Sequence, residues 1–429
     1  MTDISTIQKI HFIGIGGIGM SGLARLFLHE GKQVSGSDRT PSDITSALEE
    51  EGVAFFSTQE ESNISDDIDI VVYTEAMAKD HPEMEAARRL GVPMMNYFEA
   101  LATVANEYYL VAVAGAHGKT TTTAMLIDIL EEAGLDPTAI VGSLRSKTGS
   151  NFRAGRSKYF VVEACEYKED FKYLRPSVLV VTNIEHEHVD YYKTLGDVQA
   201  AFRRLAESVP EDGAVVAQTA DSGVKPVIEG LPCTILDYKD HLDLSLQLRQ
   251  PGVHNQLNAA AASAAASFLG VEAEVTKNAL ENFAGTWRRF EYKGDVNGAP
   301  VYDDYAHHPT EIAAAIAGVR EKYPKKKLTV VFQPHTYTRT HALFDEFVSS
   351  LSKADRVFMV PIYAAREENV SGVSSEQVIE AVAKKGTEAQ FFYTLDAAAL
   401  AVEESVSSED VVVVMGAGDV TQVAHQLIQ

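Results

Sequence analysis

Short runs rich in β-branched residues alternate with helical patterns along this chain. Near the start, Ile10–Gly14, Gln33–Ser37 and Ile68–Thr74 predict strands, and Ser21–Glu30 predicts a helix between the first two. Alternation of this kind is typical of βαβ units, in which a parallel sheet carries helices on both faces. The predicted fold class is therefore α/β.

The alternation restarts twice. A second cycle begins with the predicted strand Tyr109–Ala114, and a third begins near Glu291. One hydrophobic core rarely serves more than about 250–300 residues, so a chain of 429 residues is expected to form two or three domains. Weakly marked boundaries near Ala105 and Arg288 favour three domains. The predicted domains cover residues 1–105, 106–288 and 289–429.

The overall charge limits the possible partners. A formal net charge of -24 repels nucleic acid and anionic membranes, so we expect neither as a partner. The apolar run Ala259–Leu269 is too short to cross a bilayer, and no signal-peptide pattern follows Met1. Cys165 and Cys233 suggest reduced thiols, so the expected location is cytoplasmic. The oligomeric state stays open between a monomer and a homodimer.

A glycine-rich turn directly follows the first predicted strand. Gly14, Gly16, Gly17 and Gly19 fit the pattern G-x-G-x-x-G, and a helical pattern begins at once. Such glycines let backbone N–H groups approach a diphosphate at the helix N-terminus. Asp38 ends the next strand, where a ribose-binding acid is expected. The motif predicts a nucleotide site but does not distinguish NAD from other nucleotides.

A second phosphate-binding turn opens the second cycle. The string Gly115–Thr121 follows a predicted strand and begins a helix. Backbone amides and Lys119 would bind a triphosphate, and Thr120 would reach Mg²⁺. The string is a shortened P-loop, because Val113 stands five residues before Gly118, where the full motif has glycine.

Candidate metal ligands follow two later strands. Glu163 ends the strand Tyr159–Glu163, and His188 comes after the strand Val178–Thr182. Strand ends at one edge of a parallel sheet converge, so both side chains are candidates for binding Mg²⁺. The alternative is a zinc site on His186 and His188, which no further pair at zinc spacing completes. A loop hydrogen bond is the simpler role for His186.

Two polar pairs lie further along the chain. Asn255 and Asn258 open an alanine-rich helix and share one face of it. They are candidates for binding an adenine edge, and an N-cap is the alternative role of Asn255. Arg288 and Arg289 are adjacent in an acidic chain, and one of them is a candidate phosphate clamp.

Two dense polar strings occur in the third predicted domain. Asp303–Glu311 follows the short predicted strand Pro300–Tyr302 and precedes a helix. It holds more titratable groups than helix capping requires. After the next strand, His335 and Arg339 are candidates for holding an incoming carboxylate.

In their order along the chain, these strings resemble the Mur ligases, the peptide-forming enzymes of cell-wall precursor synthesis. The resemblance rests on Gly14–Ser21, Gly115–Thr121, Asn183–Asp190, His254–Asn258, Arg288–Phe290, Asp303–Glu311 and Gln333–Thr340. It implies an N-terminal Rossmann-like domain for UDP, a central P-loop ATPase-like domain with a parallel sheet, and a C-terminal Rossmann-like domain for the amino acid. The first glycine motif would then bind the diphosphate of a UDP-sugar.

The last two strings are most similar to those of the family member that acts on UDP-N-acetylmuramate and L-alanine. The implied reaction transfers the γ-phosphoryl group of ATP to the sugar's carboxylate. The amine of L-alanine then attacks the acyl phosphate, which gives an amide, ADP and phosphate. ATP and Mg²⁺ are the cofactors that the resemblance implies.

The resemblance also implies a role for particular residues. The implied catalytic residues are Lys119, His188, Asp304, His307 and Arg339. The implied ATP site comprises Gly115, Ala116, His117, Gly118, Lys119, Thr120, Thr121, Asn255, Asn258 and Arg289. The implied UDP-sugar site comprises Gly14, Gly16, Gly17, Gly19, Met20, Ser21 and Asp38. The implied amino-acid site comprises Tyr305, His335 and Arg339. The implied metal ligands are Thr120, Glu163 and His188.

Two departures from the family pattern concern specificity. Cys165 stands where the family usually has an acid, and Thr336 stands where many members have a second arginine. Glycine and L-serine stay open as acceptors, because a small pocket discriminates a methylene only about 10–200-fold. The alternatives are another Mur-type ligase that adds a different amino acid or peptide, an NAD-dependent oxidoreductase, and a non-catalytic nucleotide-binding regulator.

Overall fold

The computed structural model describes residues 6–75, 77–188, 191–365 and 367–428. The chain divides into two compact units. The first unit comprises residues 1–243 and 258–280, and the second comprises residues 244–257 and 281–429. Within the described residues, none of the helices combines the length and apolar character needed to cross a membrane.

The first unit begins with a parallel sheet. Its strands are β1 (Lys9–Ile13), β2 (Gln33–Ser37), β3 (Ala54–Phe56), β4 (Ile70–Tyr73) and β5 (Met94–Asn96). The helices of this segment are α1 (Ile18–His29), α2 (Asp43–Glu50), α3 (Pro82–Leu90) and α4 (Tyr97–Ala105). The strand order β3-β2-β1-β4-β5 reverses direction at β1. The glycine-rich loop after β1 therefore lies at the point where ligands bind in open α/β sheets.

The second sheet of the first unit is larger. Its strands are β6 (Tyr109–Ala114), β7 (Thr138–Arg145), β8 (Ser150–Arg153), β9 (Tyr159–Glu163), β10 (Val178–Val181), β11 (Ala214–Ala217) and β12 (Thr234–Asp237). The helices along this segment are α5 (Lys119–Glu132), α6 (Leu195–Ala206) and α7 (Lys225–Ile228). Two more helices follow, α8 (Val253–Phe268) and α9 (Ala273–Glu281), of which residues 258–280 belong to the first unit. The order is β12-β11-β10-β6-β9-β7-β8, and β8 is the antiparallel edge strand. Strand β6 thus lies between β9 and β10.

A continuous hydrophobic core connects the two sheets of the first unit. Phe12 and Phe27 belong to the same buried cluster as Phe160 on β9. Polar contacts accompany this packing, since Arg25 Nη1 donates to Asn151 Oδ1 at 2.6 Å in a buried hydrogen bond. The segment of β1–β5 is therefore held to the segment of β6–β12 by apolar burial as well as by a buried polar link.

The second unit contains one sheet. Its strands are β13 (Glu291–Val296), β14 (Ala299–Asp304), β15 (Lys327–Phe332), β16 (Arg356–Met359), β17 (Glu388–Phe391) and β18 (Asp410–Met415). Its remaining helices are α10 (Pro309–Lys322), α11 (Tyr337–Ala342), α12 (Phe344–Leu351), α13 (Ser375–Lys384), α14 (Leu395–Ser405) and α15 (Thr421–Leu427). The order is β13-β14-β18-β15-β16-β17, with β13 antiparallel to its neighbour. Apolar clusters cover both faces of this sheet.

The structure confirms the predicted α/β class and changes some boundaries. Helix α1 begins at Ile18, so Met20 and Ser21 lie inside it and not in the glycine-rich turn. Strand β14 is longer than the predicted Pro300–Tyr302, because its last two residues, Asp303 and Asp304, pair with β18. The domain limits at 105 and 288 stay predictions.

Candidate functional site

The shortened P-loop follows β6, a strand whose residues after Tyr109 are all buried. Gly115 has a φ of 142° and Gly118 a φ of 82°, conformations that side chains disfavour. A Cβ atom on Gly115 would overlap Thr182 Oγ1, and one on Gly118 would overlap Asn258 Oδ1. Space and backbone conformation therefore both require glycine at these two positions.

The end of β10 fixes this loop. The Asn183 side-chain oxygen accepts a hydrogen bond from His117 N at 2.9 Å, and its backbone oxygen accepts one from Ala116 N at 3.2 Å. Thr182 Oγ1 donates to His117 O at 2.6 Å. The loop leads directly into α5, and the first N–H groups of a helix have no partner within the helix. Together with the helix dipole, they favour an anion at this position.

Lys119, the first residue of α5, forms a buried ion pair. Its Nζ lies 3.0 Å and 2.9 Å from the two carboxylate oxygens of Glu166. Burial lowers the pKa of Lys119, but the Glu166 carboxylate outweighs this effect and the pKa is raised. Burial likewise raises the pKa of Glu166, yet Lys119 and His188 lower it to about 2. Both partners are therefore charged at neutral pH.

A second contact joins α5 to the end of β9. Thr120 Oγ1 donates to Glu163 Oε2 at 3.0 Å, and Gly142 N donates to Glu163 Oε1 at 2.6 Å. The predicted metal ligands Thr120 and Glu163 are thus in direct contact. The third predicted ligand, His188, contacts a different acid, since its Nε2 lies 3.2 Å from Glu166 Oε1.

His188 adopts an unusual backbone conformation with a φ of 53°. Its ring lies 4.8 Å from the ring of Tyr167. Ligand atoms of Glu166, Glu187 and His188 lie within 4.8 Å of one another, an oxygen-rich grouping that does not include His186. The ring of His186 instead forms a loop hydrogen bond with Tyr192 O at 3.0 Å. The simpler role predicted for His186 is confirmed.

The glycine-rich turn after β1 is closed around Asp38. Gly16 N donates to Asp38 Oδ2 at 3.0 Å, and Gly14 has a φ of 83°. Met20 and Ser21 are buried, and Ser21 Oγ accepts a hydrogen bond from Asn151 Nδ2 at 3.0 Å. The structure therefore brings the turn and Asp38 together, while it places Met20 and Ser21 in packing contacts.

In the second unit, Asp304 ends β14 in a buried position. Its carboxylate accepts hydrogen bonds from Phe290 N and Ala306 N, each at 2.8 Å. Burial raises the pKa of Asp304 to about 6, although Arg289 opposes the shift. The contacts to Phe290 and Ala306 also tie the Arg288–Phe290 segment to the residues after β14.

An aromatic and cationic group surrounds Tyr305. The guanidinium groups of Arg288 and Arg289 each lie 5.2 Å from the Tyr305 ring. His307 Nδ1 lies 2.9 Å from Tyr305 O and 3.4 Å from Glu311 Oε2. Burial lowers the pKa of His307 to about 3, against the raising effect of Glu311. His307 is therefore neutral at neutral pH.

The loop after β15 joins this group. The rings of His307 and His335 are 5.9 Å apart, and the His335 ring stacks on Tyr363 at 5.7 Å. Arg339 Nη1 donates to His335 O at 2.9 Å. Burial, with a further contribution from Arg339, lowers the pKa of His335 to about 4. The predicted residues Tyr305, His307, His335 and Arg339 thus form one group at the carboxyl ends of β14 and β15.

Three family models match the chain in succession. Residues 9–109 match the model described as "Mur ligase family, catalytic domain", residues 113–241 match the "Mur ligase middle domain", and residues 288–418 match "Mur ligase, glutamate ligase domain". A curated protein from Agathobacter rectalis, named UDP-N-acetylmuramate--L-alanine ligase, is 40% identical over 100% of this chain and 99% of its own length. The chain belongs to the Mur ligase family.

Further curated proteins and solved structures are similar to this Mur ligase. A curated protein of the same name from Caldanaerobacter subterraneus is 39% identical over 100% of this chain and 98% of its own. The crystal structure of UDP-N-acetylmuramate-alanine ligase from Thermotoga maritima matches with a TM-score of 0.81 and 29% identity, over 98% of each chain. A murein peptide ligase from Psychrobacter arcticus shares the fold, with a TM-score of 0.75 and 24% identity over 98% of each chain. The predicted family resemblance is confirmed.

The two asparagines of this Mur ligase belong to different units. Asn258 lies in the first unit beside Gly118, whereas Asn255 lies in the second. Asn255 is inside α8, and its Nδ2 donates to Pro251 O at 2.9 Å. The alternative that Asn255 caps this helix is therefore not observed. The adenine-binding role of both residues stays a prediction.

Sequence reasoning assigned no role to two acids, one in each unit, that contact residues of the predicted motifs of this Mur ligase. Glu166 pairs with Lys119, and Glu367 accepts hydrogen bonds from Thr336 Oγ1 at 2.7 Å and Thr338 N at 2.8 Å. Glu166 could have been found as the first acid after β9, whereas Glu367 follows β16 without any motif. Glu367 is therefore identified only by its hydrogen bonds in the structure.

Proposed function

We propose that this Mur ligase joins L-alanine to the carboxylate of UDP-N-acetylmuramate, with conversion of ATP to ADP and phosphate. The observation that carries the ATP-dependent step is Lys119 at the start of α5, beside the Thr120–Glu163 contact. The names of full-length relatives at about 40% identity support the substrate pair. Family membership leaves the NAD-dependent oxidoreductase alternative without support.

The chemistry requires activation of a carboxylate, which is a poor electrophile. Transfer of the γ-phosphoryl group gives an acyl phosphate, in which phosphate is the leaving group. Phosphoryl transfer is catalysed mainly by positioning and by neutralising charge on the phosphoryl oxygens. The Lys119 ammonium and the first amides of α5 supply positive charge and N–H donors at the end of β6.

The residues beside the P-loop fit Mg²⁺. Hydroxyl and carboxylate oxygens are ligands that this ion prefers, and Thr120 and Glu163 bring one of each to a separation of 3.0 Å. His188 would be a less usual third ligand. When bound, Mg²⁺ would neutralise charge on the transferred phosphoryl group.

The acceptor site would lie in the second unit, at the carboxyl ends of β14 and β15. Arg339 carries the positive charge that would bind the carboxylate of L-alanine. His307 and His335 are neutral at neutral pH, because burial lowers the pKa of each. They would therefore hydrogen-bond near the incoming amine without repelling it. Tyr305 would form part of the same pocket, and Asp304 would hold its backbone.

The turn Gly14–Gly19 with Asp38 would bind the UDP-sugar, and this site is separate from the P-loop along the chain. The enzyme would work in the cytoplasm as a monomer or a homodimer. Its partners would be small molecules.

A phosphate-release assay tests the function. Purified protein is supplied with Mg-ATP, UDP-N-acetylmuramate and one amino acid, and each component is then omitted in turn. We expect release to require all three and to be fastest with L-alanine when glycine and L-serine are compared. Faster release with another acceptor would reject L-alanine, and release without the UDP-sugar would reject the ligase reaction.

A further inference from the structure

Glu166 occupies a fixed and buried position next to the P-loop. It lies two residues beyond Ala164, which hydrogen-bonds to β6, and its side chain is 4% exposed. The hydroxyl of Tyr192 donates to the backbone oxygen of Glu166 at 2.5 Å. The backbone that carries this carboxylate is therefore held from both the sheet and the loop after β10.

The hydrogen-bonding capacity of Lys119 is fully used by this chain's own oxygens. An ammonium has three donors. Nζ of Lys119 contacts the Glu166 carboxylate, Ala116 O at 3.2 Å and Gly115 O. An anionic phosphate cannot join this arrangement without displacing an acceptor. Glu166 is the acceptor that carries a full negative charge, so it is the one that competes most directly with phosphate.

Glu166 also connects Lys119 to His188. One of its oxygens, Oε1, contacts both Lys119 Nζ at 3.0 Å and His188 Nε2 at 3.2 Å. Loss of the carboxylate would release the lysine and leave the histidine without this contact. A single residue thus influences both nucleotide affinity and the placement of a proposed catalytic side chain.

We propose that Glu166 is a positioning residue that competes with the nucleotide phosphates for Lys119 and holds His188 for turnover. The inference rests on the proposed function in that a nucleoside triphosphate is the ligand of Lys119. It predicts that removing the charge of Glu166 has opposite effects on binding and on catalysis. Nucleotide affinity rises, because a buried ammonium without its counter-ion gains more from phosphate, whereas turnover falls.

The test compares E166Q with the wild type in nucleotide binding. Calorimetry is done with ADP and ATP in the presence of EDTA, so that metal binding by carboxylates does not contribute. We expect the Kd for both nucleotides to fall roughly tenfold. With Mg²⁺ restored, we expect kcat of E166Q to fall roughly tenfold or more.

E187Q is the matched control. Glu187 acts on Lys119 electrostatically and belongs to the same acidic group. If the effect depends on the direct contact with Lys119, E187Q tightens binding much less than E166Q does. If E166Q and E187Q tighten nucleotide binding equally, the effect comes from the change in net charge alone, and the inference is overturned. Unchanged or weaker binding by folded E166Q would overturn it too.

E166D is the second variant, and nucleotide binding by the wild type is the reference. Should E166Q fail to fold, E166D replaces it, and we expect smaller but definite tightening, because the shorter side chain withdraws the carboxylate from Nζ. No tightening in E166D would overturn the inference. If the wild-type protein binds no nucleotide, the proposed function itself is contradicted. If the wild type binds nucleotide and turns over normally, but the variants have unchanged nucleotide affinity, only the inference is contradicted.

Discussion

Thr120 Oγ1 donates a hydrogen bond to Glu163 Oε2 at 3.0 Å, which brings the first turn of α5 into contact with the end of β9. The two residues are separated by 43 positions in the chain. Strands β6 and β9 are neighbours in the sheet, so their carboxyl ends meet at the same edge. This contact brings together the hydroxyl and the carboxylate that we propose as ligands of Mg²⁺.

Removal of the Thr120 hydroxyl should impair Mg²⁺-dependent turnover. We expect T120V, which keeps the shape of the side chain, to lower kcat by roughly 100-fold. T120S keeps the hydroxyl and should retain most of the activity. The measurement is kcat as a function of Mg²⁺ concentration for both variants. If T120V and T120S lose kcat equally, the loss comes from altered packing of the side chain and not from removal of the hydroxyl.

Replacement of Lys119 should separate the two nucleotide sites. K119A is expected to abolish turnover and weaken ATP binding, because it removes the cation at the start of α5. Binding of UDP-N-acetylmuramate should stay nearly unchanged, since the proposed UDP-sugar site lies at the turn after β1. Calorimetry with each ligand checks this, and a loss of UDP-sugar affinity in K119A would contradict the two-site assignment.

Gly118 should not tolerate alanine. Its φ of 82° and the close approach of Asn258 Oδ1 both oppose a side chain. We expect G118A to weaken ATP binding by roughly tenfold or more, because the loop must move. The control is G134A at the other end of α5, where φ is 70° but no atom lies within 4 Å of the added Cβ. It should lose about 1 kcal/mol of stability and keep ATP affinity. Similar ATP affinities in the two variants would refute the steric argument.

Acid should destabilise the protein partly through His307. The pKa of this residue is lowered from 6.5 to about 3 by burial. Between these values the unfolded chain binds more protons than the folded one, so stability is lost as the pH falls from about 6.5 towards 3. We expect H307N to show a smaller decrease of Tm over this range. H425N replaces an exposed histidine of the same unit and should follow the wild type. Parallel Tm curves for H307N and the wild type would rule out this contribution.

Glu367 should affect the acceptor more than the nucleotide. It accepts hydrogen bonds from Thr336 Oγ1 and Thr338 N, and so holds the segment between His335 and Arg339. We expect E367A to raise the KM for L-alanine by roughly tenfold with little change in the KM for ATP. E368A changes the exposed neighbouring acid and should resemble the wild type. An increase in the KM for ATP of the same size would argue against a role at the acceptor site.

The periodicity of the sequence was sufficient to predict the α/β class and several strands. Tyr109–Ala114, Tyr159–Glu163 and Lys327–Phe332 have the predicted limits, because each is a largely apolar or β-branched run with a polar residue or glycine at its carboxyl end. The prediction was less accurate at β14, where Asp303 and Asp304 extend the strand. Acidic residues are poor strand formers, and pairing with β18 overrides this local preference.

The sequence alone determined the alternation of strands and helices, the P-loop and its lysine, because these depend on residues that are close in the chain. The tertiary structure decided which partner each charged group has. Lys119 and Glu166 are 47 residues apart, and they meet because β6 lies beside β9. Strand order is set by the burial of whole sheet faces and not by any short string of residues. Local patterns therefore identified the candidate residues, whereas long-range packing determined their ion pairs and pKa values.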